Sequence, residues 1–328
     1  MTQRIVVGVL LCLSVAASVA HAQRQAAPPK PDSPEVQAML EKAKQIAGPQ
    51  WAIEEHFFCE APRANAATDP PIPATKIFDN VYAIGNEGTA VYVVQTNAGL
   101  LMFDSLGPQQ LDTQLLPGFQ ALGLNPGDVK VIVLGHGHAD HFGGAPYFQE
   151  KFGTKVYLSA ADWNLIENPP PGRNGQPAPP TQGAPKHDQV VTEGQPIVLG
   201  NFKVMPFAIP GHTPGSTGYI FQVKDNGKTR TAAMYGGTIL TPGPISDEGL
   251  ATYLKSVDHF RQETKRAGAE IVLQNHPLML PFRDMLDKLK ARKKGDPNPF
   301  VVGKASYQKF LDVMYACSDV NVARRKSS

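Results

Sequence analysis

The chain has 328 residues, a formal net charge of +2 with histidines neutral, and 42% hydrophobic against 18% charged residues. This is the balance of a globular protein with room for one large domain or two modest ones. It excludes a polycationic nucleic-acid binder, and after the first 22 residues no apolar stretch is long enough to anchor the chain in a bilayer.

Arg4, the apolar run Ile5 to Ala20 and the small-x-small triplet Ala20-His21-Ala22 read as a secretory signal peptide over residues 1–22. A periplasmic or secreted destination follows. Cys12 would leave with the signal, so Cys59 and Cys317 remain, an even pair in an oxidising compartment. A disulfide and two free thiols both stand open on sequence alone. Residues 23–75 read as an N-terminal extension and Pro-rich linker. Within it, Ser33-Pro34-Glu35 is a helix start. Val36, Met39, Leu40 and Ala43 then form one apolar stripe up to Gly48-Pro49, and four prolines follow between Ala61 and Ala74.

From residue 76 the chain changes character. Val81 to Ile84, Ala90 to Thr96 and Leu100 to Asp104 are β-rich runs, the last two joined as a hairpin across Asn97-Ala98-Gly99. A helix is expected from Gln109 to Leu122, bent or interrupted at Pro117. The next strand runs into the densest chemistry of the chain, Val131 to Gly144, VIVLGHGHADHFGG. Residues two apart on a strand end project to one side. His136 and His138 can therefore grip one ion while Asp140 and His141 face a neighbouring position, and two metals can sit side by side. Imidazole and carboxylate donors without thiolate suit zinc, ahead of manganese or ferrous iron.

Helix then strand recurs at Ala145 to Phe152 and Lys155 to Ser159, an alternation that points to an α/β architecture of sheets covered by helices. Pro169 to Pro185 is rich in Pro and Gly, and reads either as a lip of the substrate cleft or as a plain surface insertion. Phe202 to Val223 is a strand, a Gly-His-Thr-Pro-Gly-Ser turn and a second strand. The turn carries His212, which can complete a three-imidazole set with His136 and His138. Ala232 to Ile239 is a strand running into Gly236-Gly237 and Thr238. Ser246-Asp247 caps a helix whose buried face is Leu250, Tyr253, Leu254, Val257 and Phe260. The strand Glu270 to Gln274 ends in Asn275-His276-Pro277, where His276 would complete Asp140 and His141. His56, His187 and His259 read as surface residues.

With those residues in hand, the chain resembles the metallo-β-lactamase fold superfamily. The resemblance rests on His-x-His-x-Asp-His at 136–141, the His of Gly-His-Thr-Pro-Gly-Ser at 212 and the strand-end His276, in that order, and it spans Phe78 to His276. It implies an αββα four-layer sandwich over residues 76–295, preceded by the N-terminal helical extension and followed by a C-terminal helical segment at 296–328. It further implies two Zn²⁺ ions, the first held by His136, His138 and His212 and the second by Asp140, His141 and His276. Thr238 falls where most members place a metal-bridging carboxylate. It is most similar there to the His-rich subclass of true β-lactamases, which uses Ser, and Asn298-Pro299-Phe300 resembles the tail of those enzymes.

The activity this resemblance implies is hydrolysis of a small carbonyl compound by a hydroxide shared between the zinc ions. Asp140 would orient that hydroxide and pass on its proton, and Thr238 would add a hydrogen bond to bound water. A β-lactam amide is the first reading of the substrate, and a lactone or ester on the same scaffold is the alternative. A non-hydrolytic metal-binding or redox protein is the second alternative. Leu278, Met279 and Leu280 replace the small polar residues that the subclass places after the last His-Pro, and are expected to form an apolar wall of the cleft.

Overall fold

The structure is a computed structural model that describes residues 31–60, 69–171, 179–239 and 245–327. The signal peptide assigned to residues 1–22 lies outside the described residues. So do positions 61–68 of the linker and 172–178 of the Pro- and Gly-rich loop.

In chain order the elements are α1 (Pro34–Ala47), α2 (Ala52–Cys59), β1 (Thr75–Phe78), β2 (Val81–Gly85), β3 (Ala90–Thr96) and β4 (Gly99–Phe103). There follow α3 (Leu116–Ala121), β5 (Val129–Val133), α4 (Ala139–Phe142), α5 (Ala145–Phe152), β6 (Lys155–Ser159), α6 (Ala160–Glu167) and β7 (Gln189–Val191). The second half contains β8 (Ile197–Leu199), β9 (Phe202–Ala208), β10 (Thr217–Asp225), β11 (Lys228–Tyr235), α7 (Asp247–Ala267), β12 (Ile271–Val272), α8 (Phe282–Ala291) and α9 (Lys304–Ser327).

The first seven strands form one sheet in sequence order. Short turns join β1 to β4, so these pairs are antiparallel, and the expected hairpin closes with Thr96 opposite Gly99. Longer connections carrying helices then make β4 to β7 parallel. The second sheet has the order β12-β11-β10-β9-β8, antiparallel except for the β11–β12 pair.

Strand β3 shows why the sheets must be covered twice. Ala90, Tyr92 and Val94 enter one apolar cluster, while Val91 and Val93 enter the other. Side chains on a strand alternate faces, so a strand apolar at every position needs a layer on each side. One face meets the second sheet, where Phe103 stacks on Phe221 with ring centroids 4.5 Å apart. The other meets Phe119 of α3, Phe148 of α5 and Trp163 of α6. Tyr253, Val257 and Phe260 of α7, with Tyr307 and Phe310 of α9, are buried with the residues of the second sheet. The four layers are therefore helix, sheet, sheet, helix.

The N-terminal extension is helical. Ser33 Oγ accepts from Val36 N at 3.3 Å and caps α1, whose buried residues are Val36, Leu40, Ala43 and Ala47. Helices α1 and α2 pack on α9, and a Cys59–Cys317 disulfide ties α2 to α9 across a sequence separation of 258. No helix among the described residues is long and apolar enough to cross a membrane.

Four local expectations change. The helix expected from Gln109, bent or interrupted at Pro117, is continuous but changes type: Leu111–Leu115 is a π-helical stretch that passes directly into α3, and Pro117 sits in the first turn of α3, where a missing N–H costs nothing. Leu254 lies at the margin of the α7 face rather than within it. The strand predicted over Glu270 to Gln274 shortens to Ile271–Val272. Met279 and Leu280 are buried core side chains, so of the expected apolar wall only Leu278 retains exposure.

Candidate metal centre

Strand β5 delivers the chain to one edge of the sandwich. Single-turn α4 then sets Asp140 and His141 side by side. The loop must pass close to its neighbours: a β-carbon on Gly143 would lie 2.2 Å from Pro108 N, and Gly143 N donates to Leu106 O at 2.8 Å. Any larger residue there would displace the turn that carries the donors.

Five of the six predicted donors are imidazoles, and they meet nitrogen to nitrogen. His136 Nε2 and His138 Nδ1 are 3.1 Å apart, and His212 Nε2 lies 3.0 Å from the first and 3.1 Å from the second. His141 Nε2 and His276 Nε2 are 2.9 Å apart, and Asp140 Oδ2 stands 3.6 and 3.7 Å from them. In four of the five rings the opposite nitrogen is engaged by an acceptor. His136 Nδ1 donates to Gly236 O at 2.6 Å, His212 Nδ1 to Ile239 O at 2.5 Å, His276 Nδ1 to Gly88 O at 2.7 Å and His141 Nδ1 to Asp104 Oδ2 at 2.6 Å. A proton held on Nδ1 leaves Nε2 with a bare lone pair.

Lone pairs crowded to about 3 Å repel unless a cation lies among them. Tetrahedral zinc at ~2.05 Å from each nitrogen spaces its ligands ~3.3 Å apart, close to the separations here. The residues fit two adjacent ions, His136, His138 and His212 for one and Asp140, His141 and His276 for the other. Burial, reinforced by neighbouring imidazoles, holds His136 and His212 well below the usual histidine pKa, so both are neutral ligands. Burial raises Asp140, but the surrounding imidazoles outweigh it and keep the carboxyl well below the ordinary carboxylate range. His138 is exposed and Asp140 partly so, which opens this edge to a substrate.

Residues that sequence reasoning did not single out as part of the site hold the donors in place. Asp104 is fully buried: Oδ1 accepts from Gly135 N at 2.7 Å, and Oδ2 accepts from His141 Nδ1 and, at 2.9 Å, from Asn275 Nδ2. Asp104 and Leu106 both adopt left-handed backbone, φ 59° and 58°, a strained pair that the surrounding contacts impose. Asp162, from α6, ties the two first-set loops together. It accepts from Gly137 N at 2.7 Å, Gly215 N at 2.8 Å and Thr213 Oγ1 at 2.7 Å. Asn86 Oδ1 accepts from Gly88 N and Thr89 N, shaping the turn whose carbonyl orients His276. A strand-closing Asp at 104 and the Ser159-x-x-Asp162 helix start were available signals.

Thr238 is fully buried, and its Oγ1 has no hydrogen-bond partner among the described residues. Its segment, Gly236 to Ile239, provides the carbonyls for His136 and His212. The other histidines among the described residues lie elsewhere: His56 is exposed, His187 bonds Glu167 and stacks on Trp163, and His259 bonds Glu193.

Residues 84–225 match the Metallo-beta-lactamase superfamily. Over 163 residues the chain is 29% identical to "Hydroxyacylglutathione hydrolase GloC" of Haemophilus influenzae, covering 48% of this chain and 76% of that protein. Among solved structures, BJP-1, a subclass B3 metallo-β-lactamase of Bradyrhizobium japonicum, superposes with a TM-score of 0.66 at 26% identity, covering 80% of this chain and 99% of that one. The fold alone is shared with native FEZ-1 metallo-β-lactamase of Legionella gormanii, at TM-score 0.67 and 20% identity over 80% and 99% of the two chains. The class that this fold and site define is the zinc-dependent hydrolases. Within that class, residues 84–225 match the metallo-β-lactamase superfamily, and the structural neighbours include subclass B3 enzymes.

Proposed function

We propose that the protein is a secreted dizinc hydrolase that opens a carbonyl compound, with a β-lactam amide as its first substrate class. The observation that carries this reading is the set of five imidazoles whose donor nitrogens crowd to about 3 Å, four of them with the far ring nitrogen engaged by an acceptor. His136, His138 and His212 would hold one ion, and Asp140, His141 and His276 the other. Bound there, the pair supplies Lewis acidity toward the carbonyl and brings the ionisation of water close to neutral pH.

The chain's own groups do the rest. Asp140 Oδ2, ionised and open to the cleft, accepts the proton of the attacking water and returns it to the leaving nitrogen. Thr238 Oγ1 keeps a free hydrogen-bonding position and orients that water. Asp104 and the carbonyls of Gly236, Ile239 and Gly88 hold the imidazoles in one tautomer. Thr238 in place of a carboxylate supports the β-lactamase reading through the resemblance to the His-rich subclass. A second reading, hydrolysis of an ester or thioester, is supported by the Haemophilus influenzae relative, named a hydroxyacylglutathione hydrolase. The buried Cys59–Cys317 disulfide supports an oxidising, periplasmic or secreted location.

The deciding experiment is a parallel assay of the zinc-loaded protein with a chromogenic β-lactam, a lactone and a hydroxyacyl thioester, each with and without chelator. Chelator-sensitive β-lactam turnover is expected. Turnover of only the lactone or thioester moves the assignment to the second reading. Two bound metals with no turnover of any of the three leaves a non-hydrolytic metal protein.

A further inference from the structure

We infer that helix α7 positions the first donor set, with Tyr253 as its positioning residue and Ser256 as a second point of grip. The argument starts at the segment leaving β11. Gly236 O accepts from His136 and Ile239 O from His212, so two of the three first-set imidazoles take their orientation from one short stretch of backbone. Between those carbonyls lies Thr238 O, which accepts from the Tyr253 hydroxyl at 2.9 Å. A single phenol therefore pins the peptide that separates the two orienting groups.

The same helix face also holds the other loop. A β-carbon on Gly211, whose φ is 142°, would lie 2.6 Å from Tyr253 Cβ, so the backbone just before His212 rests directly on this residue. Three positions further along α7, Ser256 Oγ donates to Pro210 O at 2.7 Å. Both loops that carry or orient His212 thus bear on one face of one helix.

A tyrosine suits the place. Its ring packs against Tyr235, with centroids 5.6 Å apart, and its hydroxyl, fully buried, requires a partner. Thr238 O is that partner. Removing the hydroxyl leaves a buried carbonyl unsatisfied, which favours rotation of the 236–239 backbone and with it both imidazoles. No charge is altered at the donors. The effect acts on their geometry.

This inference rests on the reading that His136, His138 and His212 hold a divalent ion. Its test uses the full chain as wild type, Tyr253→Phe, Ser256→Ala and the matched control Tyr235→Phe. Tyr235 is equally buried, packs edge-on against Tyr253 and has a hydroxyl with no hydrogen-bond partner among the described residues. Zinc affinity is read by competition with a chromophoric chelator, and ligand geometry by the visible absorption of the cobalt(II)-substituted protein.

For Tyr253→Phe the expected result is roughly a tenfold loss of affinity at one of the two sites, the lower end for partners outside the ligand set, with a shifted cobalt spectrum. Ser256→Ala should move both readouts in the same direction by less, and Tyr235→Phe should match wild type. Wild-type affinity and spectrum in Tyr253→Phe overturn the inference. So do equal losses in both phenylalanine variants, which would mark general loosening of the core. If Tyr253→Phe does not fold, an unaltered Ser256→Ala overturns it instead. A wild-type chain that takes up no divalent metal overturns the inference together with the reading beneath it.

Discussion

The metal edge and the helical layer built from the two chain ends solve opposite problems with buried polarity. At the edge, His136, His141, His276 and Asp104 are buried, yet each is hydrogen-bonded to a partner from another segment. In the layer of α1, α2 and α9, Glu54 is fully buried with neither carboxyl oxygen bonded, and Trp51 Nε1 and Tyr307 OH are likewise unpartnered among the described residues. Burial pushes the Glu54 carboxyl well above the usual glutamate range, so it is held neutral. A disulfide ties this layer together covalently. Polar order at the edge fixes the orientation of the candidate donors, whereas the layer combines apolar packing with one covalent bond and the Arg324–Asp32 ion pair.

That contrast predicts which changes damage function and which damage only stability. The largest effect is expected from His138→Ala, which removes an exposed donor at a loop: bound zinc falls below wild-type stoichiometry and hydrolysis drops by several orders of magnitude. Circular dichroism should remain that of a folded sandwich. Full zinc content in this variant would remove His138 from the ligand set.

Next comes the layer. Replacing Cys59 and Cys317 together by Ser should cost about 2–5 kcal/mol in unfolding free energy, given the long loop the bond closes. Metal stoichiometry should not change. A loss of metal in this double variant would blur the distinction between the two regions.

Asp104→Ala returns to the edge. It leaves Gly135 N, His141 Nδ1 and Asn275 Nδ2 without their carboxylate, and the expected loss is about 10–100-fold in affinity at the second donor set. Calorimetric titration with zinc would measure it, and an intact second site would show that His141 is held by its backbone alone.

The smallest effect is a slope. Because the folded-state pKa of Glu54 lies above its unfolded value, the unfolded chain releases a proton that the native chain retains. Stability therefore falls as pH rises above the ordinary glutamate range, by at most about 1.4 kcal/mol per pH unit until the folded-state pKa is passed. Glu54→Gln should flatten that slope in denaturant unfolding curves measured between pH 5 and 8, given as a rough working window. An unaltered slope would place the titration on another group.

The candidate donors that the fold brings together are legible in the sequence because their chemistry is concentrated at strand ends. An apolar run stopping at His136-x-His138-x-Asp140-His141, and strands ending at His212 and His276, carry the signal within a few residues each. The sheets were legible for a related reason, since β3 and β4 are apolar at successive positions and demand cover on both faces. Helix boundaries fared less well around Leu111 to Ala121, where a π-helical stretch forms before Pro117. Leu278 to Leu280 misled for a simple reason: an apolar triplet beside a candidate metal site can face the cleft or the core, and Met279 and Leu280 face the core.

What the amino-acid sequence determined by itself is the inventory of candidate donors, the layered α/β class and the presence of two cysteines able to pair. What tertiary structure alone decided is which groups hold those donors still. Asp104 reaches His141 across 37 positions, Asp162 reaches Gly215 across 53, and Tyr253 reaches Thr238 across 15. Local patterning records what a segment can do with its neighbours in the chain. It holds no record of which distant carbonyl or carboxylate will stand opposite once two sheets close, because that is settled by the packing of side chains between them.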